Sequence, residues 1–229
     1  MKTIIIGDIH GCLDELKELL DKSKFNIDED KLILLGDYID RGPKSFEVLD
    51  YLKTLDSKMK DRLILILGNH DLYLIDNNLI NKLLWLFSGK KATIDSFKRN
   101  NKDIFYFSSW LKEKGKIYYK DSNFQCSHAG IKKDNIEDNS KYTLTTNRIN
   151  ARLNRYEGPL TIIGHLGLYE PTHFKGSKQK EILEYNKEKE LPKTGVICID
   201  TRCSSYNKLT SLIINDNKYV LEYIERKKN

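Results

Sequence analysis

Five short clusters in the sequence carry side chains of the types that bind metal ions and transfer protons. They place aspartate, histidine, asparagine and arginine beside glycine, and they hold four of the five histidines in the chain. Mixed oxygen and imidazole ligands suit manganese, iron, zinc or cobalt better than calcium or magnesium alone. Two such ions about 3.5–4 Å apart can hold a phosphoryl group while an activated water attacks it in line. This composition therefore predicts a dinuclear metal site for phosphate chemistry. The clusters are residues 7–11, 36–42, 68–71, 127–130 and 164–165.

Each cluster directly follows a short apolar run, and that order indicates which kind of element positions it. An apolar run that ends in a polar loop is typical of a buried β-strand. In an open α/β sheet, binding sites form outside the carboxyl ends of the strands. We therefore expect five strand ends to bring the clusters to one place. The apolar runs are residues 4–6, 32–35, 63–67, 124–126 and 160–163.

The first 75 residues alternate strand and helix patterns. Apolar residues recur at helical spacing over 13–20, and they do so again over 46–52, shortly after Pro43. Proline is tolerated in the first turn of a helix, so its position fits a helix start. Strand and helix in alternation are typical of parallel βαβ units. The fold class is therefore predicted to be α/β.

The remainder of the chain fits one domain over 1–229 with two additions. Residues 72–114 have helical patterns without comparable ligand residues, which predicts a helical side subdomain. Residues 173–193 are rich in lysine and glutamate, which predicts a solvated insertion, with or without a short helix at 181–185. Further predicted elements are a helix over 145–155 and a closing β-hairpin formed by 209–214 and 218–224.

Composition limits the class of protein. The chain of 229 residues is 39% hydrophobic, which is enough for a buried core. Its net charge of +6 favours anionic partners such as phosphoesters or nucleic acid, but it equally fits an ordinary lysine-rich surface. The four cysteines lack the paired spacing of a zinc site, so we expect reduced thiols. The first apolar stretch is too short for a signal sequence or a membrane span, so we expect a cytoplasmic protein without membrane association.

The spacing of the polar residues suggests how they share two ions. Asp8 and His10 lie two residues apart, so in an extended segment both side chains point the same way and can reach one ion. Asp37 ends the neighbouring strand and is the natural bridge to a second ion. The ligands predicted to complete that second ion are Asn69, His128 and His165.

Three further residues in the same clusters suit acid catalysis and phosphate binding. His70 can protonate a leaving oxygen, and Asp40 can hold its tautomer. Arg41 carries a planar fork that matches phosphate oxygens. Alternatives remain for two of them, because His70 could be another ligand or a packed histidine and Asp40 could cap the helix after Pro43.

Taken in order, the clusters follow the pattern GDxHG, GDxxDRG, GNHD, HAG and GH. This set resembles the phosphoprotein phosphatase branch of the calcineurin-like metallophosphoesterases, and residues 199–203 with 209–210 resemble that family's closing segment. The resemblance implies two facing mixed β-sheets flanked by helices, with two divalent metal ions, most readily manganese. It implies His70 as general acid oriented by Asp40, and Arg41 as phosphate binder. The metal ligands that it implies are Asp8, His10, Asp37, Asn69, His128 and His165.

A second phosphate-binding arginine usually precedes the GH motif in this family. Arg148 fits best, with Arg152 and Arg155 as competitors, although Arg148 could equally be a solvated helix residue. The chain departs from the family pattern in three places. These are Leu166 where threonine is usual, Thr146-Asn147 before the arginine, and Arg202 where glycine is usual.

The sequence supports less specific predictions for several other polar or aromatic residues. His173 is the one histidine outside the clusters, and we expect it at the surface. Tyr38, Tyr73 and Tyr169 are expected to pack rather than stack on a substrate. Asp200 could orient strands or a ligand histidine, or it could cap a turn.

The leading functional hypothesis is a metal-dependent phosphoric ester hydrolase of the serine/threonine protein phosphatase type. The alternative is a symmetrical dinucleoside tetraphosphate hydrolase or an enzyme that removes RNA caps, because such relatives look very similar in this half of the chain. Asp40 argues for the protein phosphatase, whereas Asp71 in place of glutamate argues for the nucleotide enzyme. Two other classes stay open, a non-catalytic binding module and a nucleic-acid-binding protein that uses residues 175–193.

Overall fold

The computed structural model describes residues 1–76, 79–148 and 155–227. Within them, twelve strands form two six-stranded sheets, and each sheet contains both parallel and antiparallel pairs. The strands are β1 Thr3–Ile6, β2 Lys31–Leu34, β3 Leu63–Leu65, β4 Tyr118–Lys120, β5 Gln125–Ser127, β6 Thr161–Ile163, β7 Thr172–Gly176, β8 Gln179–Ile182, β9 Lys189–Glu190, β10 Val196–Cys198, β11 Lys208–Asn215 and β12 Lys218–Glu225.

Helices flank both sheets, as the predicted fold class requires. The α-helices of the described residues are α1 Leu13–Lys22, α2 Ser45–Met59, α3 Asn69–Ile75, α4 Leu79–Leu86, α5 Lys90–Arg99, α6 Ser108–Lys114 and α7 Lys141–Thr145. Short 3-10 turns occupy Lys60–Arg62, Ile136–Asp138 and Cys203–Ser205. None of the helices in the described part of the chain is long and apolar enough to cross a membrane.

The first sheet has the order β3-β2-β1-β11-β12-β9. Strands β1, β2 and β3 run parallel, joined by α1 and α2 as right-handed crossovers require, and β11 pairs antiparallel with β1. Strands β11 and β12 form the predicted hairpin, which extends from Lys208 to Glu225. The βαβ expectation is therefore confirmed for the first 65 residues.

The second sheet has the order β4-β5-β6-β10-β7-β8. Its central strands β5, β6 and β10 are parallel, so their carboxyl ends meet at one edge. The parallel strands of the first sheet end at residues that contact the loops after β5 and β6. The two sheets together therefore present five strand ends to a common centre.

Alternate residues of the strands pack into different layers. Ile5 belongs to the core between the sheets, whereas Ile4 and Ile6 face the core beneath the helices. All three side chains are fully buried. Burial of an isoleucine side chain stabilises the folded state by about 1.5–3 kcal/mol, so β1 anchors both layers at once.

The helical segment predicted over 72–114 contains α3 to α6. Phe97 of α5 and Phe107, which directly precedes α6, are fully buried. The ring of Phe97 packs edge-on against Phe46 of α2, and the ring of Phe107 packs against it at a tilt. This aromatic cluster attaches the helical segment to the sheet scaffold. It also fixes α5 beside the loop that follows β2, where Asp40 lies.

Residues 173–193 are mostly exposed, in line with the predicted solvated segment, but they are not an irregular insertion. They form most of β7, all of β8 and all of β9, so the segment adds strands to both sheets, and no helix forms at 181–185. His173 is only 6% exposed and its ring nitrogen Nε2 lies 3.0 Å from the carbonyl oxygen of Thr194, so the surface prediction for it was wrong. The lysines on the outer face of these strands gave the segment its solvated composition, and its short apolar alternation was too weak to identify strands.

The helix predicted over 145–155 overlaps a described helix only at Thr145. Helix α7 spans Lys141–Thr145 and is capped by Ser140, whose hydroxyl accepts the backbone N–H of Thr143. Thr146 to Arg148 are not helical, and the rest of the prediction falls on residues 149–154, outside the described residues. A serine at this position is a typical N-cap, and it fixes the start of α7.

Candidate metal centre and active site

The structure brings all six predicted metal ligands to the carboxyl ends of the parallel strands. Asp37 lies at the middle, because its Oδ2 is 3.4 Å from Nε2 of His10 and 3.4 Å from Nε2 of His128. Nε2 of His128 is in turn 3.0 Å from Nδ1 of His165. A carboxylate between two groups of imidazoles has the placement that a bridging ligand needs.

Asp8 and Asn69 complete the arrangement on either side. The carboxylate of Asp8 accepts the backbone N–H of His165 at 3.1 Å, which ties the loop after β1 to the loop after β6. Asn69 donates its amide N–H to the hydroxyl of Tyr73 at 3.2 Å. Its Oδ1 is buried and has no hydrogen-bond partner among the described residues, and the same holds for Nε2 of His10.

Two buried acceptor or ligand atoms without partners are costly in a folded protein unless something else satisfies them. Both atoms belong to side chains of the predicted ligand set, and both are of the types that divalent ions bind. The donor set and the unsatisfied atoms therefore fit a pair of divalent metal ions. The chemistry of the ligands does not select among manganese, iron, zinc and cobalt.

Backbone carbonyls fix the orientation of the three ligand histidines. Nδ1 of His10 lies 2.7 Å from the carbonyl oxygen of Ile39, and Nδ1 of His128 lies 2.8 Å from that of Leu35. Nε2 of His165 lies 3.0 Å from the carbonyl oxygen of Thr146. Each of these nitrogens must donate to its carbonyl, so the other ring nitrogen is the one that a metal would bind.

Glycines let the carboxylates reach the centre. A Cβ at Gly164 would lie 2.1 Å from Oδ1 of Asp8, and a Cβ at Gly68 would lie 2.1 Å from Oδ1 of Asp37. Neither distance is sterically possible, so the glycine of each motif is required by the aspartate that packs against it. The ligand-bearing backbone is itself strained, since His10, Asp37 and His165 all have positive φ angles, at 44°, 52° and 67°.

Burial and mutual charge shift the pKa values of these groups. Burial acts to raise the pKa of Asp37, but the charges of His128 and His70 hold it well below its usual range. Burial also raises the pKa of Asp8, with the charge of Asp200 as the next cause. Burial lowers the pKa of His10, and burial with the charge of His128 lowers that of His165 to about 3. His10 and His165 are therefore neutral near pH 7, as ligands must be.

The predicted catalytic residues form a second, connected group. Nδ1 of His70 lies 2.6 Å from Oδ2 of Asp40, and Nη2 of Arg41 donates to Nε2 of His70 at 3.2 Å. The rings of His70 and His10 meet edge to face with their centres 4.7 Å apart, so this group adjoins the metal ligands. Asp40 is fully buried and orients His70, which agrees with the predicted pairing.

Two residues that the sequence reasoning missed hold Asp40 in place. The indole N–H of Trp85 in α4 donates to its carboxylate at 2.9 Å, and the hydroxyl of Thr93 in α5 donates at 2.6 Å. Trp85 is 1% exposed although leucines around it on α4 are about half exposed or more. The sequence carries no local signal for this pairing, because an apolar helix with one tryptophan does not show which residue its indole N–H will meet.

Asp71 lies behind the metal ligands, away from any substrate. Its carboxylate accepts the backbone N–H groups of Asp37 at 2.7 Å, Tyr38 at 2.9 Å and Gly68 at 2.9 Å. Burial and the charge of Asp37 raise its pKa to about 7. Asp71 therefore builds the loop that carries Asp37, and its identity as aspartate or glutamate has no direct contact through which to select a substrate.

The structure also describes Asp200 and two of the three candidate phosphate-binding arginines. Asp200 accepts the backbone N–H groups of Gly167 and Arg202, so it joins two loops and touches none of the ligand histidines with its carboxylate. Arg148 is exposed, and its charge makes a smaller contribution than burial and His128 to the lowered pKa of His165. Arg155 is exposed, and Arg152 lies outside the described residues.

A family model, the calcineurin-like phosphoesterases, matches residues 1–195. The chain belongs to the calcineurin-like phosphoesterase family. This confirms the predicted resemblance and the fold class. The matched range includes all six predicted metal ligands and the group of His70, Asp40 and Arg41.

Several curated relatives that are 36–38% identical to this chain are named symmetrical bis(5'-nucleosyl)-tetraphosphatase. The protein of this name from Buchnera aphidicola subsp. Baizongia pistaciae is 38% identical over 133 residues, which are 57% of this chain and 44% of that protein. The one from Histophilus somni (strain 2336) is 36% identical over 142 residues, 62% of this chain and 49% of that protein. The chain thus spans about half the length of the curated relatives it matches.

Solved structures share the fold over almost the whole chain. The metallophosphoesterase from Sphaerobacter thermophilus superposes with a TM-score of 0.66 at 14% identity, covering 99% of this chain and 90% of that one. A protein serine/threonine phosphatase from Saccharomyces cerevisiae has a TM-score of 0.62 at 16% identity, covering 100% and 81%. At these identities the comparison establishes the arrangement of the sheets and does not select a substrate.

Proposed function

We propose that this phosphoesterase hydrolyses symmetrical dinucleoside tetraphosphates to two nucleoside diphosphates. The observation that carries the proposal is the 36–38% identity to tetraphosphatases across 131–142 residues. This reverses the order of the two leading hypotheses from the sequence, in which a serine/threonine protein phosphatase came first. Asp71, which argued for the nucleotide enzyme in the sequence, supports the loop of Asp37. The proposal therefore does not depend on Asp71.

In this proposal the two ions are held by two sets of side chains around Asp37. One set contains His10 and Asp8, and the other contains Asn69, His128 and His165. When bound, such ions neutralise phosphoryl oxygens and lower the pKa of water so that it can attack phosphorus in line. The tautomers set by the carbonyls of Ile39, Leu35 and Thr146 keep the ligand nitrogens aimed at the centre.

His70 would protonate the oxygen of the leaving nucleoside diphosphate. Its Nδ1 is held by Asp40 at 2.6 Å, and Nε2 accepts from Arg41 in this structure. Nε2 would carry the proton to be donated once Arg41 turns away. The negative charge of Asp40 stabilises the imidazolium form before transfer. Arg41 can turn its guanidinium from His70 to the non-bridging oxygens of the phosphate.

A serine/threonine protein phosphatase activity remains the second candidate. The specific observation in its favour is Asp40, which had argued against the nucleotide enzyme in the sequence and which the structure clamps with Trp85 and Thr93. A site with this pair can protonate a serine or threonine alkoxide, whose conjugate acid is far weaker than a nucleoside diphosphate. Asp40 would help His70 to protonate the leaving group in either reaction. The alkoxide of serine or threonine depends on that proton more than a nucleoside diphosphate does.

A manganese-supplemented hydrolysis panel separates the two. Diadenosine tetraphosphate and a phosphoserine peptide are offered to the purified protein, and products are identified by chromatography. Two molecules of ADP per dinucleotide, with the peptide unchanged, is the expected result. Phosphate release from the peptide alone would overturn the proposal in favour of a protein phosphatase. Asp37→Asn serves as the inactive control, and His173→Asn serves as its match because His173 is buried but lies outside the site.

A further inference from the structure

Arg202 has a backbone conformation that arginine rarely adopts. It follows β10 and has a φ of 60° and a ψ of 41°, in the left-handed region that favours glycine. The conformation is held by the carboxylate of Asp200, which accepts the Arg202 N–H at 3.1 Å, and by the Ser205 N–H, which donates to the Arg202 carbonyl at 2.9 Å. A strained residue that its surroundings fix so firmly is a candidate for a functional role.

The guanidinium of Arg202 is fixed as well. Its Nε donates to the carbonyl oxygen of Gly167, and its central carbon lies 4.6 Å from the ring centre of Tyr169. Tyr169 is 70% exposed, so it supports the guanidinium and does not fill a core. Stacking on an aromatic face and one hydrogen bond leave the terminal amino groups in place at little further entropic cost.

The terminal amino groups of Arg202 are available to a ligand. In the described ranges 1–76, 79–148 and 155–227, no carboxylate forms an ion pair with Arg202, and neither Nη atom donates a hydrogen bond to a protein group. Arg202 is exposed. A planar pair of donors with full positive charge, held in one orientation, matches the geometry of phosphate oxygens.

Arg202 lies close to the loops that carry the metal ligands His165 and Asp8. Gly167, which accepts from its Nε, is two residues past the ligand His165, and Asp200, which holds its backbone, is close enough to raise the pKa of Asp8 after the effect of burial. A substrate that extends from the centre toward β10 therefore meets Arg202.

We infer that Arg202, positioned by Tyr169, binds a phosphate group of the substrate other than the one attacked. The inference rests on the proposed function, because a tetraphosphate has three further phosphates and a phosphomonoester has none. Arg202 would then select polyphosphates over monoesters. Its contribution is to substrate binding, not to the chemical step at the metal centre.

The test uses Arg202→Gly, which suits the left-handed backbone and removes only the side chain. Kinetics are measured with diadenosine tetraphosphate and with p-nitrophenyl phosphate, a monoester without further phosphates. We expect the KM for the tetraphosphate to rise about tenfold, as loss of a charge-assisted hydrogen bond implies, while kcat/KM for the monoester stays within about twofold. Arg202→Lys should recover part of the loss, because the charge returns without the fork.

Lys178→Gly is the matched control. Lys178 is an exposed cation with a φ of 65° in the turn between β7 and β8, so its replacement changes charge and backbone freedom equally at a remote place. It should leave both substrates unaffected. An equal loss on both substrates in Arg202→Gly would instead mean that Arg202 only supports the loop of His165, and no loss on either would also overturn the inference.

An inhibition measurement keeps the inference separate from the proposed function. Failure of the wild-type protein to cleave diadenosine tetraphosphate would refute the proposed function. Inhibition of p-nitrophenyl phosphate hydrolysis by ADP and by inorganic phosphate is then compared. A Ki for ADP that rises about tenfold in Arg202→Gly, with the Ki for phosphate unchanged, supports the additional phosphate contact. Identical shifts for both inhibitors, or none, would refute it.

Discussion

Asp40 receives hydrogen bonds from three side chains, and this sets how it can act on His70. Trp85, Thr93 and His70 each donate to its carboxylate at 2.6–3.0 Å, and Asp40 is fully buried. A buried carboxylate with such donors keeps one orientation. The orientation of the His70 ring is thus set in part by Trp85 of α4 and Thr93 of α5.

Trp85→Phe tests that dependence at a single atom. It removes the indole donor and keeps an aromatic ring, so Asp40 loses one charge-assisted bond worth about 1.5–3 kcal/mol. We expect kcat to fall about tenfold with KM within about twofold. Steady-state kinetics on the substrate identified by the hydrolysis panel measure this.

Trp110→Phe is the matched control, since Trp110 donates its indole N–H to Asp56 at 3.0 Å on the far side of α2. It should leave kcat unchanged. An equal fall of kcat in both variants would show a general loss of helix packing. A rise of KM alone in Trp85→Phe would place Trp85 in substrate binding instead.

The loops that follow the strands carry the ligands, but they are shaped from behind. Asp71, in the first turn of α3, accepts three backbone N–H groups from the loop after β2 and from Gly68. An amide at this position offers one acceptor oxygen and turns an N–H₂ group toward those donors. The loop of Asp37 therefore depends on a charged group that itself touches no ion.

Asp71→Asn should lower the free energy of unfolding by about 2–3 kcal/mol, because buried N–H groups lose their acceptor. Manganese affinity should fall with it, as the Asp37 loop loosens. Urea denaturation and calorimetric titration measure the two effects. Asp121→Asn is the comparison, since Asp121 also accepts two backbone N–H groups, those of Asn123 and Phe124, but in an exposed turn. Equal losses in both variants would contradict a special role for Asp71.

The sequence allowed the ligands to be predicted because each one sits within a few residues of a strand end. That local relation survives in any arrangement of the strands, as Asp8 after β1 and His128 after β5 show. Trp85 and Thr93 could not be assigned, because their partner Asp40 is 45 and 53 residues away and no spacing rule links them. The strands over 173–193 were missed because exposed lysines dominate their composition.

At the scale of the whole molecule, the centre joins the two sheets. Asp37 and Asp8 come from the first sheet, and His128 and His165 come from the second. In the metal-free protein, burial acts to lower the pKa of His128, but the charges of Asp37 and Asp8 raise it to about 10. His128 is therefore protonated near pH 8, and its charge faces the carboxylates of Asp37 and Asp8 where the two sheets meet.

A metal ion can replace this charge only by displacing the proton, which leads to a prediction about the whole protein. At pH 8, manganese binding should release about one proton from His128, and the apparent affinity should rise about tenfold per pH unit for each proton released. Calorimetry in two buffers of different ionisation enthalpy measures the release. His128→Asn should abolish it, whereas His173→Asn should not change it.

The stability of the metal-free protein should change with pH in the opposite direction to metal affinity. The pKa of His128 is raised from 6.5 to about 10, so its stabilising contribution is complete below pH 6.5 and is lost as the pH rises through about 10. Metal binding that is independent of pH between 7 and 9 would contradict both statements and would mean that His128 is already neutral, with the sheets held together by the apolar core between them.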